Sequence, residues 1–450
     1  MAEADARSIL ALRYMLDFRC IGSNCEDSCC QSGWEIYIDP AHLVKLRRAL
    51  PLTPSDDPHA LPTFDHVARM VPKKDRSERV AAQLLLDEKG RCPLLGPQLL
   101  CRLHQAKGED TLPDTCAMYP RHLNQVGQRL ELSGALSCPE VARRALLPSD
   151  ATDLVPAPGA LQGRGQRQFS APPGPQALRG DDPQAPYRHL DVVRGTMVRL
   201  LSLSGFSLPS RLFFTCFLAH KSSALQSAPE APIDPNAFLQ QAELLSDPEV
   251  LAELDRRLHE GLVMAPLPLP LLLSVLHRQR QVPGGGAFAR LVVEMAQSYR
   301  DPRSFPSTPD EPREVASPDE AARLDHAYRL RRQPIDALFR ARIDHYLFNY
   351  ARHFWMKDWY THSPSLFLHT QSFLLRVALL RFVILGHPHA LAAAQKGADA
   401  GQADLDALAV RAFYSLSRSI EHSAGFRAAI LEYVAKSAPS MEGAIALLSV

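Results

Sequence analysis

The sequence predicts a mainly α protein, with an irregular cysteine-rich, metal-binding N-terminal domain followed by a multi-helix domain. Three observations predict it. Eight of the nine cysteines fall between Cys20 and Cys138, and Cys216 stands alone. From residue 188 onward, apolar residues recur at helical spacing and strand alternation is nearly absent. Between these regions the chain turns rich in proline and glycine, as in Pro156-Ala-Pro158-Gly159 and Pro172-Pro-Gly-Pro175. Such stretches separate domains. The expected division is therefore 1–145 for the cysteine domain, 146–187 for a linker or surface excursion, and 188–450 for the helical domain.

With 450 residues and 46% hydrophobic content, the chain can bury ordinary cores in two or three domains. A formal net charge of +1 gives no general field for nucleic acid or for a membrane surface. The apolar run Phe373 to Gly386 is interrupted by Arg376 and Arg381, so no membrane span is expected. The opening Met-Ala-Glu-Ala-Asp-Ala-Arg-Ser-Ile-Leu lacks the basic and apolar regions of a secretory signal. A cytoplasmic protein with reduced thiols is the expectation.

Taken in order, the first element is Cys20-Ile-Gly-Ser-Asn-Cys25-Glu-Asp-Ser-Cys29-Cys30. On a helix Cys25 and Cys29 would share a face. Cys29 and Cys30 diverge in any regular backbone, so this turn is irregular, or one of them serves elsewhere. Next comes a helix after Asp39-Pro40, with Asp39 as cap and Pro40 at its first position. Lys73-Lys74-Asp75-Arg76 reads as a solvated turn. Residues 91–140 are short, turn-rich and carry Cys92, Cys101, Cys116 and Cys138. Metal binding can organise such a segment, because its free energy becomes folding free energy.

Disulfides suit small secreted domains, and this chain is neither small nor marked for export. A metal centre is the stronger account of the clustering. Zinc knuckles would show paired Cys-x2-Cys or Cys-x2-His, and only Cys101-Arg-Leu-His104 has that spacing. Cys92-Pro93 and Cys138-Pro139 share the cysteine–proline step of iron–sulfur runs. Thiolates suit both metals. An iron–sulfur cluster, of the 4Fe–4S kind, is therefore expected first and zinc second. Cys20, Cys25, Cys29, Cys30, Cys92, Cys101, Cys116 and Cys138 are the candidate ligands.

Helices are expected near 189–204, 210–226, 236–260, 268–281, 286–299, 318–360, 364–386, 404–421 and 424–436, punctuated by Pro283-Gly-Gly-Gly286 and Gly386-His-Pro388. Cys216 and His220 sit four apart in one of them, yet a buried inert cysteine is the plainer reading.

The N-terminal cysteine run, with Gly33-Trp34 and Ile38-Asp39 after it, resembles the signature of the flagellin lysine-N-methylase family (FliB). The likeness continues through Cys92-Pro93-Leu94-Leu95, Leu100-Cys101, Cys116-Ala-Met-Tyr119-Pro120-Arg121 and Ser137-Cys138-Pro139-Glu140-Val141-Ala142-Arg143. It covers about the first third of the chain. The shorter cysteine pattern is also similar to cysteine-cluster proteins described as zinc- or iron-chelating. The family resemblance implies S-adenosylmethionine-dependent N-methylation of lysines on flagellin, a subunit of the bacterial flagellum. A non-catalytic iron or zinc module, or an electron-transfer protein, is the alternative.

Lysine methylation requires a methyl donor in line with the nitrogen and an amine that loses its proton. Aromatic side chains hold a cationic head and exclude water. The densest aromatic stretch runs from Tyr346 to Tyr360 and offers Tyr346, Tyr350 and Asp358 as catalytic candidates, with Asp344 nearby. The rival reading makes these aromatics, together with Trp355 and Trp359, the core face of an amphipathic helix. His345 and His353 read as satisfied core histidines. Nothing between 188 and 450 carries a methyl-donor fingerprint.

Overall fold

A computed structural model describes residues 9–157 apart from 32–33, 58, 79 and 127–128. It also describes 190–224, 234–279 apart from 266, 286–299, and 318–450 apart from 422 and 438–439. Most of the stretch expected to be a linker lies outside the described residues, as do Gly33 and the glycines before Gly286. The chain is mostly helical, as expected.

The N-terminal third mixes short elements. Strands β1 (Ile9–Leu12), β2 (Tyr37–Ile38), β3 (Ala68–Met70), β4 (Ala82–Leu84), β5 (Arg121–Val126), β6 (Arg129–Gly134) and β7 (Leu154–Pro156) form two sheets. One runs β5-β6-β1-β7, with β1 parallel to β6 and antiparallel to β7. The other runs β2-β4-β3 and is antiparallel. Helix α1 (Pro40–Ala49) starts where the sequence places it. Asp39 accepts from the His42 N–H at 3.0 Å, and Pro40 fills the first position, where no donor is needed. Three short helices follow: α2 (Phe64–Val67), α3 (Arg102–Lys107) and α4 (Asp114–Met118). Then comes α5 (Pro139–Leu146).

The helical region begins with α6 (Leu190–Leu201) and α7 (Leu208–Ala224). The single helix expected near 236–260 is two, α8 (Pro235–Leu244) and α9 (Pro248–Met264). Asp247-Pro248 restarts it. The residue before proline is pushed out of the helical region, and Asp247 then caps the new helix by accepting from Glu249 N–H at 2.8 Å. The remaining helices are α10 (Leu269–Gln279), α11 (Gly286–Gln297), α12 (Pro318–Lys357), α13 (Leu366–Gly386), α14 (Pro388–Lys396), α15 (Ala398–Glu421), α16 (Ala424–Ser437) and α17 (Met441–Leu448).

Two hydrophobic cores hold the described residues together. The smaller gathers Ile38, Leu46, Val67, Ala82, Leu94 and Leu103 around β2–β4 and α1, with Cys92 inside it. The larger joins β1, β6 and α5 to the helices, so residues on both sides of position 145 share it. At its centre lies α13, which by length and composition could cross a membrane. However, 89% of its most apolar window is buried in protein. Burial on this scale explains the length of its apolar run: a helix surrounded on all sides needs no polar face.

Candidate functional site

Residues 20–31 form no regular helix. One short 3-10 turn, Gly22–Asn24, lies between Cys20 and Cys25, and a second, Cys29–Gln31, holds Cys29 and Cys30, so the shared helical face expected for Cys25 and Cys29 is absent. Gly22 has φ +58°, a left-handed conformation that a side chain would strain. The Ser28 hydroxyl accepts from Cys30 N–H at 3.2 Å, a local bond that competes with helix formation. Cys92 N–H donates to Cys30 carbonyl at 2.8 Å, and Trp34 Nε1–H to Cys29 carbonyl at 3.1 Å. The Cys92–Cys30 bond ties the first cysteine run to a later cysteine.

None of the nine cysteines is in a disulfide. The charge of Cys29 is felt at Cys25, Cys92, Cys101 and Cys138, and Cys29 in turn bonds Cys30. Cys20 acts on Cys25 in the same way. Cys30, Cys101 and Cys116 pack against the small core that holds Cys92. Burial pushes the Cys92 thiol up to about 11 and the Cys138 thiol up to about 12. Two backbone devices pull the other way. Cys101 stands before the first turn of α3, where the Leu103 and His104 N–H groups lower its pKa. Cys138 stands before α5 and is lowered likewise by Glu140 and Val141. Helix N-termini favour thiolates in this manner. Among the described residues no three thiol sulfurs lie within 4.8 Å of one another.

The run is fastened to the helical body by Arg418 on α15. Its side chain, 4% exposed, donates to Asp27 at 2.6 Å and to the Ser137 carbonyl at 3.4 Å. Arg143 on α5 reaches Glu26 at 2.5 Å.

Beside this seam lies a polar pocket lined by Leu136, Tyr350, His353, Lys357, Asp358, Arg376 and Glu421, with Phe354, Ser417 and Ile420 completing the wall. Helix α12 supplies four of these residues, with Asp358 directly after its end, α13 supplies Arg376, and α15 supplies three. Lys357 donates to Glu421 at 2.8 Å, and Arg376 to Asp358 at 3.0 Å. Ser137 N–H reaches Glu421 at 3.3 Å, one residue before Cys138, so pocket and thiols adjoin. Burial alone would raise the Asp358 carboxyl, but Lys357 and Arg376 hold it well below the usual carboxylate range. Burial is likewise outweighed at Glu421, where Lys357 lowers the pKa to about 2. At Lys357 burial opposes the charge, yet Glu421 and Asp358 raise its pKa above the usual value. Burial, helped by the Lys357 charge, pushes His353 down to about 4, and His353 Nε2 lies 2.9 Å from the Gly134 carbonyl. His353 is thus neutral at pH 7, and the four charged groups sum to zero.

Of the catalytic candidates, Tyr350 and Asp358 line the pocket, while Tyr346 does not. Tyr346 points its hydroxyl to Asp406, which Arg342 also binds at 2.9 Å. The aromatics of α12 are core: Phe354 and Trp355 are buried, and Phe354 stacks on Phe373 at 4.4 Å. Asp344 pairs with Arg381 at 3.3 Å, and His345 Nε2 lies 3.1 Å from the Leu147 carbonyl. Cys216 is fully buried, with its thiol raised by burial alone, and the His220 ring packs on Phe367. Lys357, Arg376 and Glu421 went unread in the sequence. Their one visible signal is Arg376, a charge inside an otherwise apolar helical run.

Over 141 residues, 31% of this chain, the protein is 32% identical to the lysine-N-methylases of Salmonella choleraesuis (strain SC-B67) and Salmonella typhimurium (strain LT2). The chain spans about a third of the length of those relatives, 33% of each. It is 31% identical, again over 141 residues, to the flagellar biosynthetic protein FliU of Salmonella muenchen, 78% of which is covered. No family model matches the sequence. No solved structure matches it either. On the match to FliU, this chain belongs to the family of that flagellar biosynthetic protein.

Proposed function

We propose that this protein N-methylates lysine side chains of flagellin, using S-adenosylmethionine, and that a cysteine-ligated iron–sulfur centre organises its N-terminal third. The relatives' names supply the activity and the flagellar setting. The observation that carries the reading is the position of Tyr350 and Asp358 in a polar pocket adjoining the thiols.

Each group in the pocket has a task its chemistry suits. Asp358, strongly acidic, is too weak a base to take a lysine proton; it holds the incoming cationic head instead. Tyr350 and Phe354 flank that position and exclude water, which lowers the cost of the neutral amine. The proton then leaves to solvent before transfer. In the transfer step the nitrogen lone pair forms the new N–CH3 bond as the S–CH3 bond breaks, its electron pair returning to sulfur.

The donor set fits a metal group. Thiols raised by burial, and further by neighbouring cysteines, are costly as thiolates unless a cation compensates them. Cys20, Cys25, Cys29, Cys30, Cys92, Cys101, Cys116 and Cys138 are the residues that would hold it. The cysteine–proline steps Cys92-Pro93 and Cys138-Pro139 support an iron–sulfur cluster ahead of zinc. Such a cluster would supply folding free energy to a region whose own core is small. Thiols of this kind persist in a reducing compartment, which supports a cytoplasmic setting.

The test is incubation of metal-loaded protein with methyl-labelled S-adenosylmethionine and purified flagellin. Label on flagellin lysines is expected, and Asp358→Asn is expected to abolish it while retaining the metal. A metal-loaded protein that labels no lysine would instead be a non-catalytic iron or zinc module.

A further inference from the structure

We infer that Arg418 is a positioning residue for the cysteine centre: a buried cation, supplied by the helical body, that offsets the centre's negative charge and raises its reduction potential. The inference rests on the iron–sulfur reading proposed above for the group on which Arg418 acts. The placement of Arg418 does not depend on that reading.

An iron–sulfur cluster held by thiolates is an anion, and reduction adds one more negative charge to it. Cations and donors around the sulfurs therefore decide how readily it is reduced. Arg418 stands where such a group is needed. It donates to Asp27 at 2.6 Å and to the Ser137 carbonyl at 3.4 Å. Asp27 lies between Cys25 and Cys29, and Ser137 directly precedes Cys138. One guanidinium thus spans the first cysteine run and the last cysteine of the N-terminal third. Helix α15 grips Ser137 at both ends of its backbone, because Glu421, one turn after Arg418, accepts from Ser137 N–H at 3.3 Å. Cys25 Sγ in turn donates to the Asp27 carbonyl at 3.3 Å.

The guanidinium is not saturated by these bonds. Arg418 Nε is buried and has no hydrogen-bond partner among the described residues. A buried donor left unpaired costs free energy, and a sulfur of the centre accepting from it would remove that cost. The charge also reaches the thiols. At Cys29 the bond with Cys30 and burial raise the thiol, and Arg418 works against both. The other arginine that reaches this run serves it less well. Arg143 is 38% exposed and divided between Glu26 and Glu140, so water screens it. Arg418, at 4% exposed, keeps its field inside the protein. A fixed positive charge stabilises the reduced, more negative form more than the oxidised one, so Arg418 raises the potential.

The experiment is a redox titration of the full-length, anaerobically purified protein with dithionite, the reduced cluster being followed by electron paramagnetic resonance. Arg418→Gln is expected to leave about tenfold less reduced cluster at a fixed potential, a fall of about 59 mV for one electron. Arg418→Lys keeps the charge and is expected to recover most of that fall. Arg256→Gln, on the exposed face of α9, is expected to change nothing. A role in packing alone would lower the urea midpoint of Arg418→Gln and leave its potential in place. If Arg418→Gln does not fold because it strands Asp27, Asp27→Asn is compared with Asp27→Asn/Arg418→Gln, which strands no charge. The double variant is expected to have the lower potential. Equal potentials in either comparison, or a potential of Arg418→Lys no closer to the unaltered protein than that of Arg418→Gln, would overturn the inference. The two readings fail separately. A cluster whose potential ignores Arg418 removes the inference and keeps the centre. A folded protein that holds neither iron nor sulfide removes the centre, and the inference with it.

Discussion

Glu421→Gln is the perturbation that most directly probes how the pocket is built. Glu421 holds Lys357 at 2.8 Å, with side chains 14% and 9% exposed. At that distance, with an effective dielectric of about 20, the attraction is about 6 kcal/mol. Desolvation of both ions offsets part of it, so the pair's net value is smaller. Removing the acid alone is the costly change, because the buried ammonium keeps only Asp358, 3.7 Å away. The expected loss is about 3–5 kcal/mol. Metal loading departs from two-state unfolding, so urea midpoints are compared at matched metal content. Lys357→Met and the double variant close a cycle, and coupling above about 1 kcal/mol is expected. The pH dependence has a definite sign. The folded-state pKa of Glu421, about 2, lies below its unfolded value. The stability it contributes is present above pH about 4.3 and is lost as pH falls toward 2. A loss under about 1 kcal/mol for Glu421→Gln, or no coupling to Lys357, would refute the buried-pair account.

Three further outcomes follow from the same structure. His353, 3% exposed, has a folded pKa of about 4, below the unfolded imidazole value, so its stabilisation is full above pH 6.5. About 3 kcal/mol of it is lost as pH falls toward 4. A His353→Gln variant should show a shallower loss over that range, and an identical profile would contradict the assignment. Gly401→Ala would place a Cβ 2.0 Å from the Ala393 carbonyl oxygen, where α14 and α15 meet. Thermal melting should register a loss above about 2 kcal/mol, and a neutral result would mean the helices do not approach as described. Finally, Cys29→Ser should release the metal, while Cys216→Ala, buried in the larger core, should keep it. Metal content per chain decides both.

The helical region was legible because period and punctuation agree there. Asp234-Pro235, Asp247-Pro248 and Ser365 each supply a cap, and the structure starts a helix after every one. The larger sheet left no local trace. Strand β1 pairs with β6 about 120 residues later, so its partner cannot be found by any short window. The candidate site was half legible. Tyr350 and Asp358 announced themselves through an aromatic-rich helix. Tyr346, one turn earlier on the same ridge, was captured by Asp406, a partner 60 residues away. Lys357 and Glu421 sit at helix ends, where charges ordinarily face water. Only the packing of α12 against α15 buries them together, and periodicity carries no information about that contact.

The account stands on the thiols of the N-terminal third gathering around an inorganic centre. The most direct measurement is anaerobic purification of the full chain, followed by visible absorption and counts of iron, acid-labile sulfide and zinc. A brown protein with iron and sulfide in equal amounts, about four of each per cluster, is the predicted result. A colourless, folded protein carrying neither iron nor sulfide, with these cysteines all open to alkylation, would contradict it.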